Sequence, residues 1–167
     1  MGRLVLNVQD ESDIPSVMGV SAILGDIAFV FKLNEVFNWK LKRASDVLCY
    51  HEKVITKHVL YRGVSGCEEI NVFWNQPESS DWISKKSLKG TGLFSEEAAV
   101  APLLRFLKKP KNIDALVLIE PKLSQNEMLI LQKTMDTIPS IVGVKTIPWL
   151  EIKNRENLHF DLQKTEL

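Results

Sequence analysis

The sequence predicts an α+β fold: a single two-layer domain with a mixed, mainly antiparallel sheet, about three helices and a C-terminal strand-helix-strand unit. Three observations lead there. Short runs rich in Val, Ile, Tyr, Phe and Trp crowd residues 41–76, separated by turn signals, as strands of an antiparallel sheet do. Apolar residues recur at helical spacing in 27–38 and again in 128–138. The last third places a capped helix between two apolar runs. At 167 residues the chain has the size of one domain, 1–167, with 149–167 as a C-terminal tail. A chain of that length buries roughly two-thirds of its unfolded surface without a disulfide or metal staple.

Taken in order, Arg3 to Val8 alternates polar and aliphatic residues and predicts a strand, followed by a polar break through Pro15. Val17 to Leu24 predicts a second strand. Asp26 stands where an N-cap is expected, and Ile27, Val30, Phe31, Asn34 and Phe37 fall on one face of a helix over 27–38. Asp46 to Tyr50, Val54 to Tyr61 and Ile70 to Trp74 are the next strands, with Gly63-Val64-Ser65-Gly66 as a turn. Pro77 through Gly92 is polar and turn-prone, which marks a long loop anchored by Trp82-Ile83.

Ser95 is placed to cap a third helix, with Glu96 and Glu97 in its first turn and Lys108 and Lys109 at its end, each complementing the helix dipole. Pro102 either kinks this helix or begins it, and Pro110 stops it. Ala115 to Ile119 is a continuous apolar run, as a strand buried on both faces requires. Ser124 and Glu127 form a capping box, and Leu123 and Met128 the hydrophobic staple around it. Met128, Leu131, Met135 and Ile138 continue that helix until Pro139, and Val142 to Ile147 is a strand parallel to the earlier one. Trp149, Leu150, Leu158 and Phe160 pin the tail.

Composition narrows function by exclusion. Lys plus Arg equals Asp plus Glu at 21 each, so there is no overall field to draw in nucleic acid or an anionic membrane. The apolar stretches fall far short of the roughly 20 residues that span a bilayer, and the N-terminus lacks a signal-peptide pattern, so a cytoplasmic protein is expected. Two cysteines, Cys49 and Cys67, make no disulfide framework.

A helix reading Phe31-Lys-Leu-Asn-Glu-Val-Phe37 after a strand, the segment Lys109-Pro-Lys-Asn-Ile-Asp-Ala-Leu-Val-Leu-Ile119 and the tail Lys153-Asn-Arg-Glu-Asn-Leu-His-Phe160 together resemble the IPExxxDY proteins. Pro110 and Asp114 remain from the naming motif, one residue closer together than it spaces them, whereas Lys111 and Ala115 stand where that motif has Glu and Tyr. The resemblance covers about residues 4 to 160 and implies a bacterial cytoplasmic protein of unassigned activity. It carries over no catalytic residue.

Cys49, His51, His58 and Cys67 do not match a zinc template. A tight hairpin at Glu52-Lys53 would put Cys49, His51 and His58 on one face, with His51 opposite Val54 and His58 about 13 Å further along. No metal and no cofactor is expected. Cys49 beside His51 has the residue types of an activated thiolate, but no oxyanion loop accompanies the pair. Lys89-Gly90-Thr91-Gly92 lacks the Walker spacing. Lys108, Lys109 and Lys111 read as a solvated helix end. The binding residues expected are Trp74 and Trp82, flanking the 77–94 loop, with Lys85, Lys86 and Lys89 within it, since tryptophan is enriched at binding hot spots. The expected function is a non-catalytic binding or interaction domain, acting on an unknown protein partner or on itself as a homodimer. The alternative is an enzyme or small-ligand-binding protein with a cleft near that loop.

Overall fold

The computed structural model describes residues 14–83 and 100–160. The strand expected at Arg3 to Val8, Lys85, Lys86 and Lys89, and the helix start at Ser95 lie outside these residues.

The chain is α+β, built on two antiparallel sheets and two α-helices among the described residues. The strands are β1 (Ser16–Ala22), β2 (Lys42–Arg43), β3 (Val47–Tyr50), β4 (Val54–His58), β5 (Leu60–Ser65), β6 (Glu68–Trp74), β7 (Ser79–Trp82), β8 (Ala115–Glu120) and β9 (Ile141–Thr146). The helices are α1 (Asp26–Phe37) and α2 (Gln125–Asp136). A six-stranded sheet has the order β2-β5-β6-β8-β1-β9, and a three-stranded sheet the order β3-β4-β7.

Strands β2 to β7 form one three-stranded meander whose two halves belong to different sheets. The pairs β2·β5 and β5·β6 lie in the larger sheet, and β3·β4 and β4·β7 in the smaller one. The single residue Val59 separates β4 from β5. Both faces of the larger sheet are therefore covered, where two layers were expected. On one face α1 and α2 pack over Val20, Ile70, Val72, Val117 and Ile119. On the other, Leu60, Phe73, Leu116 and Leu118 meet the smaller sheet and the C-terminal residues Trp149, Ile152, Leu158 and Phe160. The apolar run of β8 is buried alternately on the two sides, as its continuity predicts.

Several expectations are corrected. Gly25, not Asp26, is the N-cap of α1, because the Asp26 carboxylate instead accepts the Tyr61 hydroxyl at 2.7 Å. The buried face of α1 is Phe29, Val30 and Leu33, while Ile27 and Phe31 point outward. Nearly every turn of α1 carries apolar residues on more than one side, so periodicity does not choose between faces. Asn34 spends its amide on both backbone groups of Leu41 and turns the chain.

The turn expected at 63–66 begins only at Gly66, where φ is +60°. Gly63 lies within β5 because the chain at Trp39 crosses directly over it. A Cβ there would stand 2.2 Å from the Trp39 carbonyl oxygen, which only glycine avoids. The start of the expected 77–94 loop is strand β7, paired with β4. Residues 100–110 hold no helix. Buried Asn75 takes the backbone groups a helix would use: its side-chain oxygen accepts the Leu107 amide at 2.6 Å and its NH2 donates to the Leu107 carbonyl at 3.0 Å. The strand-helix-strand unit exists, but β1 lies between β8 and β9 and pairs antiparallel with each. The two strands are parallel in direction without being neighbours. Leu150 is exposed rather than pinning the tail, and Ile152 is buried instead.

The start of α2 follows its sequence closely. The Ser124 hydroxyl accepts the Glu127 amide at 3.3 Å, and the Glu127 carboxylate accepts the Ser124 amide at 2.8 Å. Leu123 and Met128 both pack against the core beside it. Replacing Ser124 by Ala orphans one amide of this reciprocal pair and is expected to cost about 1 kcal/mol of stability. Urea melts of the two proteins check this; equal midpoints would mean that the box contributes nothing.

Candidate functional site

The two tryptophans expected to frame a site stand on different sheets. Trp74 ends β6, and its ring packs against Phe29 of α1, with centroids 5.9 Å apart. Its backbone is also engaged, the amide donating to the Val59 carbonyl and the carbonyl accepting His58 Nδ1, each at 2.9 Å. Trp74 thus serves the packing of the helical face. Trp82 ends β7 opposite Val54 and is half-buried.

What the structure does bring together is a line of polar side chains on the inner face of the β3–β4 hairpin. Its register is the one expected: the His51 amide donates to the Val54 carbonyl at 2.8 Å, and Cys49 stands opposite Thr56. Residues 49, 51, 56 and 58 therefore share a face, and the two imidazoles meet through the one hydroxyl between them. His51 Nε2 and His58 Nε2 each lie 2.9 Å from Thr56 Oγ1. The 13 Å separation expected along the strand is a backbone distance, which the side chains close.

Proton positions in this chain follow from its ends. His58 Nδ1 faces the Trp74 carbonyl, which can only accept, so Nδ1 carries the hydrogen. Burial drives the His58 pKa down to about 4, the carbonyl bond opposing this and His51 adding to it, so the ring is neutral and Nε2 is bare. Bare Nε2 accepts the Thr56 hydroxyl. Thr56 Oγ1 in turn accepts Nε2–H of His51, which leaves His51 Nδ1 as the unprotonated atom of its ring. Burial and then Lys108 hold the His51 pKa below its ordinary value.

Cys49 does not act as a thiolate in this setting. Burial, reinforced by Glu156, pushes its thiol up to about 12, and a protonated thiol is a poor nucleophile. Among the described residues no three His, Cys, Asp or Glu side chains are grouped to hold a metal ion, and no helix is long and apolar enough to cross a membrane.

A second feature lies on the other side of the larger sheet. Ile27 and Phe31, one turn apart on α1, are 74% and 66% exposed, and Ile23 just before the helix is 75% exposed. On α2, Ile130 is 64% exposed. Both helices cover the same sheet face, so the outer surface of the helical layer carries large apolar side chains from each. The ion pair Lys32–Glu35, at 2.8 Å, lies on α1 among them. The hydrophobic pattern of α1 held this signal, since it has more apolar residues than one buried face can use.

No protein-family model, curated protein or solved structure matches this chain. The likeness to the IPExxxDY proteins stands on the residues quoted above alone.

The buried His58 predicts a pH dependence of stability. Its pKa falls from 6.5 in the unfolded chain to about 4 in the fold. Between those values the unfolded chain holds the extra proton, so the contribution is complete above the unfolded pKa and is lost as the pH falls toward the folded one. The expected loss is about 3 kcal/mol. Urea melts between about pH 7 and about pH 4.5 measure it, and His58→Gln should flatten the slope across that window. Carboxylates such as Asp46, held below its ordinary pKa because hydrogen bonds from Lys57 and Arg43 outweigh burial, act only at lower pH. An unchanged slope in the variant would place the titration elsewhere.

Proposed function

We propose that this chain is a non-catalytic interaction domain that self-associates through the outer face of its helical layer. The observation that carries this reading is the exposure of Ile23, Ile27 and Phe31 on and beside one helix. Large apolar side chains grouped on a soluble surface cost free energy in water and are characteristic of interaction faces. The favoured occupant is a second copy of the chain. Its net charge is zero, so two copies meet without overall repulsion. A face with apolar residues flanked by both signs of charge is self-complementary under a two-fold axis, as an isologous dimer requires.

A small-ligand-binding reading is favoured by one specific observation, a cleft beside His51. That cleft is lined by residues of 106–109 and 151–154, and by none of residues 77–83.

Sedimentation equilibrium tests self-association. The expected result is a concentration-dependent dimer that Phe31→Glu weakens by at least about tenfold, because a charge would be buried without a partner. Thermal melting of the variant should stay near that of the parent under conditions where both are monomeric, since the side chain is exposed. A parent chain that remains monomeric throughout, or a variant that dimerises equally well, would overturn the proposal.

A further inference from the structure

A cleft of about 360 Å³ opens beside His51, and Phe106 and Leu107 of the non-helical core form its apolar wall. Its polar lining comes from three separate parts of the chain: His51 from the β3–β4 hairpin, Lys108 and Lys109 from the segment after Leu107, and Glu151 and Lys153 from the C-terminal region. Three lysines and one carboxylate thus line a concave site, on a chain whose charges balance overall. The backbone that presents Lys108 and Lys109 is held in place. Asn75, fully buried, bonds both backbone groups of Leu107 and the carbonyl of Ile113, and its own carbonyl accepts the Phe106 amide at 3.2 Å. Lys108 and Lys109 therefore extend from backbone held in place before any ligand arrives, which lowers the cost of binding.

We propose that this cleft binds a small organic oxyanion, its charged head held by Lys108, Lys109 and Lys153 and its apolar body against Phe106 and Leu107. The volume lies near the lower end of the roughly 300–1,000 Å³ usual for ligand sites, which suits a small molecule. Positive charge concentrated in a cleft raises the local concentration of anions. Carboxylates and phosphate monoesters share the required head group.

Binding should also take up a proton. His51 Nδ1 is the ring atom left bare by the chain through Thr56. Lys108 is the charged group that acts on the ring, Lys109, Lys153 and Glu151 line the same cleft, Glu156 acts on neighbouring Cys49, and neutral His58 stands behind Thr56. A bound anion offsets the repulsion between the imidazolium and Lys108, so the ring can gain a hydrogen at Nδ1 while Nε2–H remains on Thr56.

The test is an NMR titration of the His51 ring with inorganic phosphate, phenyl phosphate and benzoate. The expected result is a saturable shift of His51 with phenyl phosphate, benzoate or both, tighter at about pH 6 than at about pH 8 because the imidazolium adds to the binding. The two organic probes separate a phosphate head from a carboxylate head, and inorganic phosphate reports what the apolar wall adds. The double variant Lys108→Gln/Lys153→Gln should weaken binding by on the order of tenfold. Both lysines are exposed, so the fold should be retained, which a melt verifies. No saturable shift with any probe, or equal affinity in a folded double variant, would overturn the site. Phe31→Glu, on the other side of the sheet, should leave the titration unchanged, so failure of the self-association reading and failure of this site are separable.

Discussion

His58 donates from Nδ1 to the Trp74 carbonyl, and the Trp74 amide donates to the Val59 carbonyl, each at 2.9 Å. These two bonds sit where the meander leaves one sheet and enters the other, and the remaining architecture on that side depends on them. A continuous β4–β5 strand would have left the lower half of the hairpin in solvent. Bending at Val59 folds β3, β4 and β7 back over the larger sheet, so that Leu60, Phe73, Leu116 and Leu118 gain a cover. Each of those side chains contributes about 1.5–3 kcal/mol when buried. The bend is thus stabilised by core burial, while its backbone groups are satisfied by a histidine ring.

Charged side chains complete the same corner. Arg43 lies 2.5 Å from Asp46 and 3.5 Å from Glu78, and Lys57 lies 3.0 Å from Asp46. Asp46 and Glu78 lie in the segments that pass between the sheets, with Arg43 at the end of β2 and Lys57 near the end of β4, so opposite charges gather where the chain changes sheet. All are partly exposed, and pairs of that kind contribute little individually. Their value here is in orienting three chain segments rather than in net stability. Asn75 does the corresponding work inside, where an unpaired amide would be costly, and bonds the strand end to Leu107 and Ile113.

The two proposed surfaces follow from this arrangement. Covering the larger sheet on both faces leaves the helical layer as one outer surface and the hairpin side as another. The first surplus is apolar, because α1 has more large side chains than the sheet can accept. The second is cationic, because the segment clamped by Asn75 carries lysines directly after its buried Phe106-Leu107 pair. They share no residue, so one can be lost without the other.

The parts legible from the sequence are those governed by local chemistry. The capping box of α2 is written in Ser124 and Glu127, the burial of β8 in an unbroken apolar run, and the β3–β4 register in a two-residue turn between runs of opposite parity. The His51–Thr56–His58 line was within reach of the same parity argument, since a register that places Cys49 opposite Thr56 sets a hydroxyl between the two rings. The remainder depended on contacts between residues distant in sequence. The face of α1 was decided by what the sheet offered it, the helix expected before Pro110 was replaced by bonds to Asn75 more than thirty residues away, and β1 entered between β8 and β9 because it pairs with both. Local spacing determines which elements can form; which side chains they turn toward one another is set by the competition for burial and hydrogen bonds in the assembled chain, and that competition is absent from any short stretch of sequence.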